Sequence, residues 1–203
     1  LSLVHGSPHA GGGRRPLDRV FLPRFQPACG HAAQSGGSRL QLPDLRAYAD
    51  AVVPAGPDQY QGLRGAEMIV RRLKPNLAII TDVTHDTQSP MYNKKEQGDL
   101  KCGGGPVICY GPAVQNNVRD FIINIAKEKE IPFQRQAVSR STGTDTDSFA
   151  YATEGVASAL ISLPLKYMHT TVETVHKEDV QNVIKLIYEC LLKVEGTEDY
   201  RYL

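Results

Sequence analysis

The sequence predicts an α/β domain over residues 62–196, with helices covering a sheet. Three observations predict it. Short strand-like runs recur at 76–82, 107–110, 133–138 and 156–163. Stretches of helical period alternate with them, and Gly, Pro or polar clusters mark the boundaries. Helix alternating with strand is the pattern of a layered α/β domain, in which helices bury their apolar stripes against a sheet.

The elements follow in order. GLRGA at 62–66 is a glycine-punctuated turn that opens a helix from Ala66 to Leu73. Lys74-Pro75 stops it, because a proline pushes the preceding residue out of helical backbone. The next strand runs from Asn76 to Asp82, within AIITDVTHDTQSP at 78–90. Its apolar run, Leu77 to Ile80, gives way to Asp82, Thr84, His85 and Asp86. A buried strand that ends in a carboxylate presents an acid at the rim of an α/β sheet, where ligands collect. Residues 86–101 are polar, with Lys94, Lys95 and Glu96, and read as an exposed loop.

CGGGPVICYGP comes next. No GK[ST] follows Gly103 to Gly105 and no helix opens there, so a phosphate loop is not supported. The glycines mark backbone lying close to another segment, or a strand entry. Val107 to Tyr110 is a short strand. Val118, Phe121, Ile122, Ile125 and Ala126 fall at i, i+3, i+4, i+7 and i+8, the apolar stripe of a helix from about Val114 to Lys129. Pro132 ends the connection, and Phe133 to Val138 is a strand. SRSTGTDTD is a polar loop, followed by a short helix through Ser148 to Thr153. Val156 to Leu163 is a buried strand, and Pro164 to Thr171 is a loop that carries His169. Val180, Val183, Ile184, Ile187, Leu191 and Val194 mark the last helix, with Lys177, Glu178 and Asp179 in its first turn.

Residues 1–61 differ in kind. They contain no Lys, Glu, Ile, Met, Asn or Thr, and their basic residues are all Arg. GGGRRP and QSGGS break any period, so this segment is expected to be disordered or irregular. The missing residue types also suggest an out-of-frame translation joined to an in-frame remainder, which the coding DNA upstream of codon 62 would test. His5 and His9 are four apart, but Gly6, Pro8 and the glycines that follow disfavour the helix that would pair them. Residues 197–203 are a tail.

The chain of 203 residues carries a net charge of +1, so neither nucleic acid nor a membrane surface is an expected partner. No apolar run approaches the roughly 20 residues that span a bilayer, and the first residues lack the pattern of a secretory signal. Cys29, Cys102, Cys109 and Cys190 form no CxxC pair and fit reduced thiols in the cytoplasm. Cys102 and Cys109 lack a second pair that would complete four zinc ligands.

Asp82 and His169, one at the end of each buried strand, are of the right types for a metal site. Taken singly, Asp82 could cap a helix and His169 could be an ordinary loop histidine. His85 and Asp86 could orient a ligand or form a polar turn. Asx-turn hydrogen bonding accounts for Asp145 and Asp147. Ser139, Ser141 and Ser148 lack a GxSxG context.

GLRGA at 62–66, DVTHDTQSP at 82–90, GGGPVI at 103–108, GTDTDSFAY at 143–151 and ISLPLKYMHTTVE at 161–173 occur in one order at natural spacing. Together they resemble the glutamyl aminopeptidase / cellulase-M-like family of di-metal aminopeptidases, over roughly Gly62 to Gly196. The resemblance implies a three-layer zinc-peptidase (phosphorylase/hydrolase-like) α/β domain, here truncated behind an irregular N-terminal segment. It implies two divalent ions, zinc or cobalt, hydrolysis of N-terminal residues from peptides, and homo-oligomers that reach tetrahedral particles. Asp82 and His169 match two of the family's five protein ligands. His85, Thr144 and Asp145 fall beside them, as ligand-orienting or substrate-pocket residues.

The sequence also departs from the family's pattern. The general base and the ligand that follows it should be Glu-Glu just before Gln61, where Gln59 and Tyr60 stand instead. The HxD motif and the β-rich dimerisation insert have no counterpart upstream. The expected consequence is an impaired enzyme that holds fewer metal ions. One alternative is a non-catalytic remnant that binds a full-length homologue. Another is a glycan hydrolase, which lacks the required carboxylate pair.

Overall fold

The structure, a computed structural model, describes residues 2–6, 63–90, 92–194 and 200. Eleven elements are formed within them: β1 (Ser2–Gly6), α1 (Arg64–Leu73), β2 (Pro75–His85), α2 (Lys94–Gln97), β3 (Val107–Tyr110), α3 (Asn116–Glu128), β4 (Gln134–Ala137), α4 (Asp145–Ala150), β5 (Ala157–Lys166), β6 (Thr174–Val175) and α5 (Lys177–Lys193). They build one sheet in the order β1-β2-β5-β3-β4, with β6 paired to β5. β2 and β5 run parallel, as do β3 and β4, while β1 against β2 and β3 against β5 are antiparallel.

The expected three layers are present. Strand side chains alternate between faces, so successive residues of β2 feed two cores. Leu77 and Ile79 join Ile108, Ala159, Ile161, α3 and α5 on one face. Ala78 and Ile80 join Cys109, Leu160, α1 and Phe149 of α4 on the other. β2 is therefore apolar from Leu77 to Ile80 and β5 through most of its length, as strands covered on both sides must be. Each fully buried Leu, Ile or Phe contributes roughly 1.5–3 kcal/mol.

Helix ends follow local chemistry. Gln115 caps α3, its side-chain oxygen accepting from Val118 N–H at 3.0 Å. Lys74 ends α1 with left-handed backbone, and its N–H is donated to the Val70 carbonyl, so Pro75 can start β2 at once.

Several boundaries differ from expectation. β2 continues three residues past Asp82, so Asp82 lies within a strand rather than at its end. β5 passes through Pro164, which reads as a stop. β3 pairs with β5 only at Ile161 and Ser162 and β6 only at Leu165 and Lys166, so Pro164 falls between two ladders where a missing N–H costs little. The helix expected at Ser148 to Thr153 is instead α4, three residues earlier. Thr144 caps it, accepting from Thr146 N–H at 3.2 Å. The loop after β2 contains the short helix α2. Strand β1 falls in the segment expected to be irregular; the remaining readings of residues 7–61, the histidines His9 and His31 and Cys29 among them, lie outside the described residues.

The glycine-rich run is backbone lying close to another segment. A Cβ on Gly105, whose φ is +90°, would sit 2.1 Å from the Pro132 carbonyl oxygen. The Asp179 carboxylate of α5 accepts Gly103 N–H at 2.6 Å and Gly105 N–H at 2.8 Å, so the last helix closes this turn.

Candidate metal centre

Asp82 shares strand parity with Ala78 and Ile80 and so lies on the α1/α4 face of β2. It is half-buried, stands opposite Ser162 of β5, and accepts Val83 N–H at 2.7 Å. Burial raises the pKa of its carboxyl; the Val83 N–H and the neighbouring His169 pull it down less strongly. Asp145, in the first turn of α4, is raised as well, by burial first and then by the charge of Asp82. Burial thus favours the protonated form of both carboxyls, and the charge of Asp82 adds to the effect at Asp145.

His169 lies on the exposed turn that follows β5, where Tyr167 (φ +55°) and His169 (φ +64°) both hold left-handed backbone. That conformation costs a non-glycine residue about 1 kcal/mol or more. The turn is held by Glu173, whose carboxylate accepts His169 N–H, and by Thr170, whose hydroxyl donates to the Tyr167 carbonyl at 2.6 Å.

His85 ends β2 beside Leu165 of β5. Burial and the field of His169 lower its pKa, so the ring favours its neutral form. Tyr92 lies against it with ring centroids 4.7 Å apart and planes tilted by 35°, and places its hydroxyl 2.8 Å from Nδ1. The loop that carries Tyr92 is tied at its ends. Thr87 N–H is donated to the Leu100 carbonyl at 2.9 Å, and Leu100 N–H to the Thr87 hydroxyl at 2.8 Å. Lys94 bridges Gln88 and Asp99 across it.

The other sequence candidates take structural parts. Thr144 is buried and engaged with Thr142 and Thr146, which orients the start of α4. Asp147 accepts Thr142 and Gly143 N–H at 3.0 and 2.9 Å, tying the preceding loop to α4 from its C-terminal side rather than forming the expected Asx-turn. Asp86 accepts from Gln88 and Cys102 N–H. Burial opposes its ionisation, but those bonds outweigh it and hold its carboxyl below the usual range. The Cys102 thiol donates to the Pro164 carbonyl, and burial pushes it up to about 11. Cys109 is likewise pushed up to about 11 by burial. Neither is poised to be a zinc thiolate. No sequence signal singles out Tyr92, and Asp179 reads only as a first-turn acid of the last helix. Nothing local tells a first-turn acid that bonds a turn 76 residues away from one that merely complements a helix dipole.

As donors, Asp82, Asp145 and His169 are of the types that divalent ions take. Among the described residues no three acidic, His or Cys side chains converge to hold an ion. The set fits such an ion in kind, while its count falls short of a complete site. Gln59 and Tyr60 lie outside the described residues.

The sequence profile of the M42 glutamyl aminopeptidase family matches residues 61–186. The chain belongs to that family. It is 38% identical over 138 residues to the lysyl aminopeptidase of Pyrococcus furiosus, an alignment that covers 68% of this chain and 39% of that protein. The solved TET aminopeptidase of a marine-sediment Thaumarchaeota archaeon superposes with a TM-score of 0.62 at 29% identity, over 69% of this chain and 39% of that one. The TET1 peptidase of Pyrococcus horikoshii, which assembles into a tetrahedron or a large octahedral shell, gives 0.50 at 26% identity, over 66% and 38%. The chain thus spans about two fifths of the length of the relatives it matches.

Proposed function

We propose that residues 62–196 are the C-terminal part of the catalytic domain of a metal-dependent aminopeptidase, with Asp82 and His169 as metal ligands. One observation carries the proposal. Asp82 of β2 lies within electrostatic reach of both Asp145 in the first turn of α4 and His169 in the turn after β5. Divalent ions, zinc or cobalt, would be held by Asp82 and His169, with Asp145 near enough to share the charge. The chemistry such ions supply is polarisation of the scissile carbonyl and activation of a water. What this chain's own residues add is position: Asp86 fixes the turn after β2, Thr144 and Asp147 fix α4, and Glu173 fixes the turn of His169.

The substrate is the N-terminal end of a peptide, and the compartment is the cytoplasm. The likeness to the assembling TET1 peptidase supports a homo-oligomer. The expected rate for this chain alone is low, because Gln59 stands where the family's general base belongs and a neutral amide cannot take a proton from water. No described helix is long and apolar enough to cross a membrane.

Calorimetric titration of the purified chain with zinc and cobalt, beside turnover of an aminoacyl-anilide, tests this. Weak binding that Asp82→Asn abolishes, with little turnover, is expected. Robust turnover would overturn the part assigned to Gln59. Binding unchanged in both Asp82→Asn and His169→Ala would overturn the metal assignment. Replacing Gln59 and Tyr60 by Glu should be necessary for activity without being sufficient.

A further inference from the structure

His85 and Tyr92 form a pair that the ligand assignment does not use. The ring of His85 sits at the end of β2, on the opposite strand face from Asp82 and beside the strand that leads to His169. Its Nδ1 is engaged by the Tyr92 hydroxyl at 2.8 Å, and the tyrosine ring lies tilted against the imidazole. Both side chains are half-buried. Tyr92 is held in place because its loop is closed by Thr87 and Leu100 and braced by Lys94 and Asp99; its own N–H is donated to the Ser89 carbonyl.

A neutral imidazole has one donor nitrogen and one acceptor nitrogen, and the partner of one nitrogen sets the role of the other. A phenol donates to an imidazole lone pair more strongly than it accepts from an imidazole N–H. With the Tyr92 O–H donated to Nδ1, the proton of His85 resides on Nε2, at the opposite edge of the ring. We propose that Tyr92 is a positioning residue that locks His85 as the Nε2–H tautomer, making it a fixed, uncharged hydrogen-bond donor to a peptide carbonyl oxygen that passes the end of β2 beside the turn of His169. His85 then binds substrate and is not a metal ligand. The lowered pKa of His85 agrees with this, since it keeps the ring neutral. The peptide as occupant rests on the aminopeptidase assignment above; the tautomer and its control by Tyr92 do not.

Two-bond 1H–15N correlation spectra of the full chain read the tautomer directly, with the His85 signals assigned by their loss in His85→Gln. The expected result is an Nε2–H pattern in the native chain that becomes a tautomer mixture in Tyr92→Phe, a change that retains the ring. Added zinc should leave the Nε2–H pattern in place. An Nδ1–H pattern, an unchanged ratio in Tyr92→Phe, or deprotonation of Nε2 on adding zinc would each overturn the proposal. Zinc affinity in Asp82→Asn, measured separately, bears on the metal assignment alone, so failure of one is distinguishable from failure of the other.

Discussion

The carboxylate of Asp179, at the start of α5, holds the N–H of Gly105 at 2.8 Å, and Asp179 is itself fully buried. With Gly103 as its second donor, it converts the glycine-rich turn from loose backbone into a fixed wall of the domain. Asp179→Ala would leave two backbone donors unsatisfied. A loss of about 3 kcal/mol is expected, because hydrogen bonds to a charged acceptor are each worth about 1.5–3 kcal/mol. Urea unfolding of the two proteins measures it.

Gly105→Ala should be costly for a different reason. Its Cβ would lie 2.1 Å from the Pro132 carbonyl oxygen, on backbone with φ of +90°. Overpacking and left-handed strain together predict about 2–4 kcal/mol. Gly143→Ala is the control. Its φ is +68° but nothing lies within 4 Å of the added methyl, so about 1 kcal/mol is expected from backbone strain alone. Equal losses at the two sites would show that the Pro132 contact is not what counts.

The pH response of the Asp82–Asp145 pair has a definite sign. Both carboxyls are raised in the folded chain, by burial first. The folded state then binds more protons than the unfolded state, so stability from this pair rises as pH falls from neutral toward the ordinary carboxyl range. Asp82→Asn should stabilise the metal-free chain at pH 7, by about 1 kcal/mol or less, while weakening divalent-ion binding at least tenfold. Thermal melts with and without zinc report both effects.

Asp86 titrates in the opposite sense. Its folded pKa is depressed, so its contribution is present above the unfolded value and is lost as pH falls through the folded one. Asp86→Asn should cost about 1–3 kcal/mol at pH 7, the toll of a weakened buried acceptor. The difference from the native chain should shrink on acidification below about pH 4. A difference that stays constant from pH 7 to pH 3 would mean that the ionised form is not what holds Gln88 and Cys102.

Much of the domain was legible because its apolar periods are strong. Leu77 to Ile80, Val118 to Ala126 and Val183 to Cys190 announce a twice-covered strand and two amphipathic helices, and the core contains these residues. Boundaries were less legible where one residue carries two meanings. Pro164 normally ends a strand, yet it sits in the gap between two ladders. Thr144 and Asp145 look like loop residues because capping residues are loop formers. Of the proposed site, Asp82 and His169 are named by the family resemblance, while the strand end expected at Asp82 lies three residues further on, at His85. Tyr92 was not legible, since a tyrosine in a polar loop acquires meaning only once the Thr87–Leu100 closure folds that loop back on β2.

The pairing of β2 with β5 has a kinetic consequence. β3, α3 and β4 are contiguous in sequence and can condense early with little loop entropy to overcome. β2 must find β5 across most of the described chain, and the Asp179 bond closes a span of 76 residues; such long closures are slow. Asp82 and His169 stand on opposite sides of that late junction. Divalent-ion binding through the proposed Asp82–His169 pair should therefore lag behind helix formation during refolding, and a stopped-flow trace in which the two signals rise together would contradict that order.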